Sequence, residues 1–314
     1  MDNIYKLRDW IPKKYLNNYS LAYNPNQHLL YPLYKEHINW NNLCLNENAI
    51  PILLENQDKI NWNYLQENPS SGPIYELYPD KIDWWWFVEY PKNIKVIEQN
   101  LNKVYWSNLC YNSGAIHLLP LKKDLIDWGH LSLNEGAIDL LKANTDKINW
   151  YCLSLNESAI PILEQNISNI NWYCLSTNKN ACHLFELCKN PALLDWTSLC
   201  KNPGAMPFII KNYKYIDWTA LSANISAVPF LLKHKHKINW TYFVTNPAAI
   251  DIIEKNINRI EWHNLTKNPA IFELDYVAMA KQRTYLLEEG ILQKALHPNR
   301  IQYWLDNGVA IDDI

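Results

Sequence analysis

An all-α solenoid of stacked short modules is predicted by three observations. Tryptophan recurs with a period of 22 residues, at Trp40, Trp62, Trp84, Trp106, Trp128, Trp150 and Trp172 and, after one step of 24, at Trp196, Trp218, Trp240 and Trp262. Leucine or phenylalanine stands three residues after each of them, from Leu43 to Leu265. Asparagine stands six residues after all but one, at Asn46, Asn68, Asn112, Asn134, Asn156, Asn178, Asn202, Asn224, Asn246 and Asn268, with Tyr90 as the exception. A fixed period of this length marks repeat architecture.

Positions are counted from each Trp as zero. Asn or Asp at +21 is a good N-cap, because its oxygen takes an orphan backbone N–H. Trp and Leu at zero and +3 then share one face of a short helix. Asn at +6 ends that helix. Pro often follows, as in Pro69, Pro203, Pro247 and Pro269, where a preset φ suits the turn. A second Pro at +11 (Pro51, Pro73, Pro161, Pro207, Pro229) is tolerated only in the first turn of a helix, so the second helix starts near +10. It stops at Asn after about two turns, as at Asn56, Asn144 and Asn166. Helices this short do not persist in water alone. Each module must therefore stack on its neighbours, helped by the small residue at +9, such as Ala49, Ala137 or Ala227. The expected product is a curved rod on the order of 100 Å long.

Three segments follow: an irregular N-terminal cap at 1–23, repeats at 24–270, and a C-terminal helical cap at 271–314. An extra half-module begins at Asn24-Pro25. Beyond Pro269 the period stops, and a longer helix over 275–296 carries an apolar stripe of Leu286, Leu287, Ile291, Leu292 and Leu296.

Composition narrows the function classes. A net charge of −3, from 29 basic and 32 acidic residues, disfavours a dedicated nucleic-acid binder. The seven cysteines form no CxxC pair and read as reduced, packed thiols of an intracellular protein. Cys182-His183 with Cys188 suits no standard zinc spacing, so no metal is expected. No phosphate loop, HExxH or Ser/His/Asp set is present, and neither an enzyme nor a cofactor is expected. No apolar run is long enough for a membrane span, and the N-terminus lacks a signal-peptide core.

The Trp ladder reads as core packing beside Leu at +3, with a stacking platform for bases or sugars as the alternative. The Asn ladder reads as structural capping. The better binding candidates are aromatics at the variable slots +1 and +2: Tyr64, Trp85, Trp86, Tyr151, Tyr173 and Tyr242. Other modules place Asn41, Ser107, Gly129 or Thr219 at +1, so packing does not demand a ring there. Interface hot spots favour Trp and Tyr.

The module, with Trp-x-x-Leu, Asn-Pro and Pro four residues on, resembles the leucine-rich-variant repeat over residues 24–270. That resemblance implies an alternation of α and 3₁₀ helices in a right-handed superhelix. This chain has Asn/Asp-Trp where that family favours other residues, and it lacks the cysteine cluster of some members. The whole chain is similar to the Trp/Asn-rich repeat proteins of giant DNA viruses of the mimivirus type, through Ile271-Phe272-Glu273-Leu274-Asp275-Tyr276 and His297-Pro298-x-Arg300. That similarity implies a viral origin, a place in host cytoplasm or virion, and no reaction. The expected function is a non-catalytic protein-binding scaffold with a viral or host partner gripped near Trp85. Nucleic-acid binding is the alternative, which needs Lys59, Lys81, Lys103, Lys147 and Lys237 at +19 to align on one face. A self-associating structural or virion role is the third.

Overall fold

In the computed structural model the described residues are 5–16, 21, 24–30 and 38–307. The chain divides into two compact units. One spans Pro12–Ile271, and the other joins Met1–Ile11 to Phe272–Ile314.

The Pro12–Ile271 unit is an all-α solenoid, as the period predicts. The Trp40 module shows the pattern: an α-helix Trp40–Leu45, a 3₁₀ turn Glu47–Ala49, a second α-helix Ile50–Glu55 and another 3₁₀ turn Gln57–Lys59. Pro51 sits in the first turn of the second helix. The Asn39 side chain caps the first helix by accepting from the N–H groups of Asn41 and Asn42. The Trp106 module departs from this plan, because Pro120 at +14 cannot sit inside an α-helix. Its second half is 3₁₀, kinked at Lys122. The Trp172 module carries the two-residue insertion and replaces its second α-helix with 3₁₀ turns, Leu184–Leu187 and Pro191–Leu193.

Leu at +3 is the innermost residue of every module: Leu43, Leu65, Leu109, Leu131, Leu153, Leu175, Leu199, Leu221 and Leu265 are buried, as are Phe87 and Phe243. The Asn ladder joins the modules. Asn156 Nδ2 donates to Ser132 O (3.0 Å) and Asn134 O (3.1 Å) of the preceding module, while its Oδ1 accepts from Ser158 N. Asn68, Asn178, Asn224, Asn246 and Asn268 repeat this arrangement. A buried carbonyl left without a donor would cost about 1–3 kcal/mol, so the amide is structural.

The solenoid is not an open rod. Asn24 Nδ2 donates to Thr266 O and Asn268 O, both at 3.0 Å. These are the +4 and +6 carbonyls of the last module, which stands to Asn24 as the Trp40 module stands to Asn68. Asn26 Nδ2 reaches Pro269 O, and Asn46 Nδ2 reaches Pro25 O. The row of amides from Asn24 to Asn268, interrupted at Tyr90, therefore returns to Asn24. The repeat unit is a closed ring of twelve modules, eleven with a Trp and one without.

From Lys13 onward the described part of the N-terminal segment keeps the register of the repeats. In the sequence, Leu16-Asn17-Asn18 falls in the slots of Ile60-Asn61-Trp62, with Asn18 in place of Trp. Asn17, Asn18 and several neighbours lie outside the described residues. Leu21, at the +3 slot, is buried like its counterparts. The 3₁₀ turn Lys13–Tyr15 occupies the slots of Gln57–Lys59, and Tyr15 stacks on Trp262 at 4.6 Å. The twelfth module is thus composite: Trp262–Ile271 comes from one end of the repeats, and Lys13–Tyr15 from the other.

In the second unit, strand β1 (Tyr5–Leu7) pairs antiparallel with strand β2 (Phe272–Leu274). Lys6 and Arg8 both approach Glu273. A helix Tyr276–Ala295 and a shorter helix Pro298–Asp306 follow. The stripe Leu286, Leu287, Ile291, Leu292 and Leu296 is exposed. Residues 308–314 lie outside the described residues.

Candidate functional site

The Trp helices follow one another as a row through the Pro12–Ile271 unit, with Trp150–Leu155 packed against both Trp128–Leu133 and Trp172–Leu175.

All six aromatic candidates are exposed on these helices, from 39% for Tyr64 to 61% for Tyr173. Tyr64 with Trp85 and Trp86 occupies neighbouring modules, as do Tyr151 and Tyr173, and Tyr242 stands apart. The row is not uniform in chemistry. At +1 the side chain meets the +21 residue of its own module, which caps the next Trp helix: Asn61 Nδ2 donates to Asn41 Oδ1 (2.8 Å), Thr197 Oγ1 to Asp217 Oδ2 and Thr241 Oγ1 to Glu261 Oε1. Trp85 takes part in this row as a ring, edge-on to Tyr105 at 5.4 Å. Tyr105 replaces the usual capping Asn or Asp and leaves its helix without a side-chain cap.

The Trp ladder is half-buried in every module rather than fully in the core. In several modules the cation at +19 covers the indole of the same module: Lys81 over Trp62 (6.0 Å), Lys103 over Trp84 (5.5 Å), Lys147 over Trp128 (4.8 Å), Lys237 over Trp218 (5.9 Å) and Arg259 over Trp240 (5.2 Å). Lys59 instead approaches Asp58. The +19 cations therefore line up along the indoles. Two grooves open between successive indoles. One, of about 480 Å³, lies among Trp62, Trp84, Lys81, Lys103, Asp83 and Tyr105; the other, of about 470 Å³, lies between Trp40 and Trp62.

A row at +4 carries no obvious sequence mark. Ser154 Oγ donates to Trp150 O (2.7 Å) and accepts from the N–H of Asn171, the +21 residue before the next Trp (3.0 Å). Ser132, Ser176 and Ser222 do the same. Cys44 and Cys110 stand in this slot, with Cys44 Sγ accepting from Asn61 N and Cys110 Sγ facing Trp106 O. Burial raises both thiols and pushes Cys200, also at +4, up to about 11. A comparison of modules slot by slot would reveal this small-residue position.

The Trp84 module breaks the ladder. Tyr90 stands at +6, and Asn93 replaces the small residue at +9. Asn93 Nδ2 turns to Phe87 O, while Asn93 Oδ1, Ser71 Oγ and Tyr75 OH are buried without a partner. Unpaired buried polar atoms are costly and call for an explanation. His183 Nε2 lies 2.7 Å from Glu164 Oε1, while the Cys182 and Cys188 thiols face the carbonyls of Lys179 and Asn190. Among the described residues no group of His, Cys, Asp and Glu could hold a metal ion, and no helix is long and apolar enough to cross a membrane.

No family model, no curated protein and no solved structure matches this chain.

Proposed function

We propose that the protein is a non-catalytic ring scaffold that binds a protein partner on the aromatic side of its Trp helices. The observation that carries this reading is the set of exposed rings at slots where the fold accepts Asn, Ser, Gly or Thr. Rigid aromatic side chains give large contact area at low entropic cost, and they dominate interface energetics. The resemblance to giant-virus repeat proteins supports a viral or host partner, met in host cytoplasm or virion. Affinity purification from infected cells with the wild type and with Trp85→Ala/Trp86→Ala tests this. A nuclease-resistant protein partner lost from the variant, with unchanged circular dichroism, is expected; the same partners in both would refute it.

The exposed stripe Leu286–Leu296 favours a second reading, self-association through the Tyr276–Ala295 helix. An exposed apolar face of this length is a common interaction surface. Light scattering over a hundredfold concentration range decides, because a constant monomer mass excludes it.

A further inference from the structure

The groove between Trp62 and Trp84 has a lining with more cations than carboxylates. It is lined by two ammonium groups, Lys81 and Lys103, each held over an indole. Neither forms an ion pair with any described residue, whereas Lys59 in the neighbouring groove approaches Asp58 at 3.1 Å. The single carboxylate in the lining, Asp83, already accepts from Trp85 N–H at 3.0 Å. Two unpaired cations therefore face one engaged anion.

The same place is where the chain departs most from its own rules. Tyr105 stands where a capping Asn or Asp would be worth about 1 kcal/mol. Tyr90 interrupts the amide ladder. Violations that cost stability without local compensation gather at functional sites. Tyr105 puts a half-exposed ring into the lining, with Trp85 edge-on to it at 5.4 Å.

Resting on the protein-binding reading above, we propose that this groove takes an extended, acidic, proline-rich segment of the partner. Spacing supports the choice. Lys81 and Lys103 occupy the same slot of adjacent modules, about 8–10 Å apart by helix spacing. A polyproline II chain rises about 3.1 Å per residue with three residues per turn, so carboxylates at i and i+3 share a face about 9 Å apart. Such a chain carries little ordering cost and docks on aromatic-lined grooves. One carboxylate then meets each lysine, and the intervening prolines meet Trp85 and Tyr105.

The test is titration of the full chain, followed by tryptophan fluorescence and calorimetry. The probes are the peptides Glu-Pro-Pro-Glu-Pro-Pro and Glu-Glu-Pro-Pro-Pro-Pro, and a single-stranded oligonucleotide. Saturable binding of the first peptide is expected, at least tenfold tighter than the second. It should weaken at least tenfold in Lys81→Gln/Lys103→Gln and fall with added salt. Equal affinity for both peptides, no salt dependence, or an unchanged double variant overturns the proposal, and tighter binding of the oligonucleotide does so in favour of nucleic acid. The salt series on the wild type keeps the test decisive even if the variant misfolds. Loss of peptide binding with the partner still captured through Trp85 and Trp86 would sink this assignment alone.

Discussion

Tyr15 lies flat on Trp262, with ring centroids 4.6 Å apart and planes 13° from parallel, although the two residues come from opposite ends of the repeats. Tyr15 stands three residues before the Asn18 slot as Lys81 stands three before Trp84, so it does to Trp262 what Lys81 does to Trp62. The seam is thus an ordinary module junction made without a covalent link across it. The β1–β2 pair draws strands from the same two ends of the chain.

Removing residues 1–16 should therefore open the ring without melting the modules. We expect helical circular dichroism to be nearly preserved and the radius of gyration from small-angle scattering to rise. Amide exchange should accelerate first at Leu265–Ile271, where the composite module has lost its partner. An unchanged scattering profile would show that the seam does not depend on this segment.

Within the ring, the amide ladder sets the stability of each junction. Asn156→Ala removes donors from Ser132 O and Asn134 O and an acceptor from Ser158 N. The loss should be about 2–4 kcal/mol in urea denaturation, within the range for stranded buried polar groups. Asn46→Ala loses Nδ2 to Pro25 O and Oδ1 to Asn48 N at a more exposed site, so the cost should be about 1 kcal/mol. Equal costs at the two positions would contradict the ladder.

The solenoid, its capping Asn and Asp residues and its two-helix module were legible because each rests on local chemistry repeated many times. Ring closure was not. It depends on a rotation of about 30° per module accumulating over twelve modules, and no single residue announces that angle. The first module was hidden for a simpler reason: the period was followed through Trp, and Asn18 stands in its place, although Leu21 and Asn24 keep the register. The aromatic candidates were legible as variable-slot residues, and they are exposed. Tyr105 was missed because it occupies a capping slot, where a ring is read as a lost cap rather than as a contact.

The break in the ladder at Tyr90 offers a gain-of-stability test. Tyr90→Asn with Asn93→Ala restores the residues used in most modules and removes the orphaned Oδ1 of Asn93. The double variant should be more stable by about 1–3 kcal/mol, the cost of an unpaired buried polar atom. If the region is retained for binding, the same change should weaken partner capture. A destabilised variant would mean that Tyr90 packs better than the slot comparison implies.

Cys200 tests the +4 row through pH. Its thiol is pushed by burial from an ordinary 9.0 up to about 11. The native thiol keeps its proton where the unfolded one has lost it. The stabilisation is therefore complete below about 9 and is lost as pH rises from there through about 11. The melting temperature should fall by roughly 2–4 °C more across that interval in the wild type than in Cys200→Ser. Serine titrates nowhere in this range and already fills the slot at Ser132, Ser154, Ser176 and Ser222, so Cys200→Ser should match the wild type at pH 7. Native Cys200 should also resist iodoacetamide at pH 8, because the thiolate is the nucleophile. Rapid alkylation of the folded protein at Cys200, or a Cys200→Ser variant that melts well below the wild type at pH 7, would show that the sulfur does something at this slot that a hydroxyl cannot.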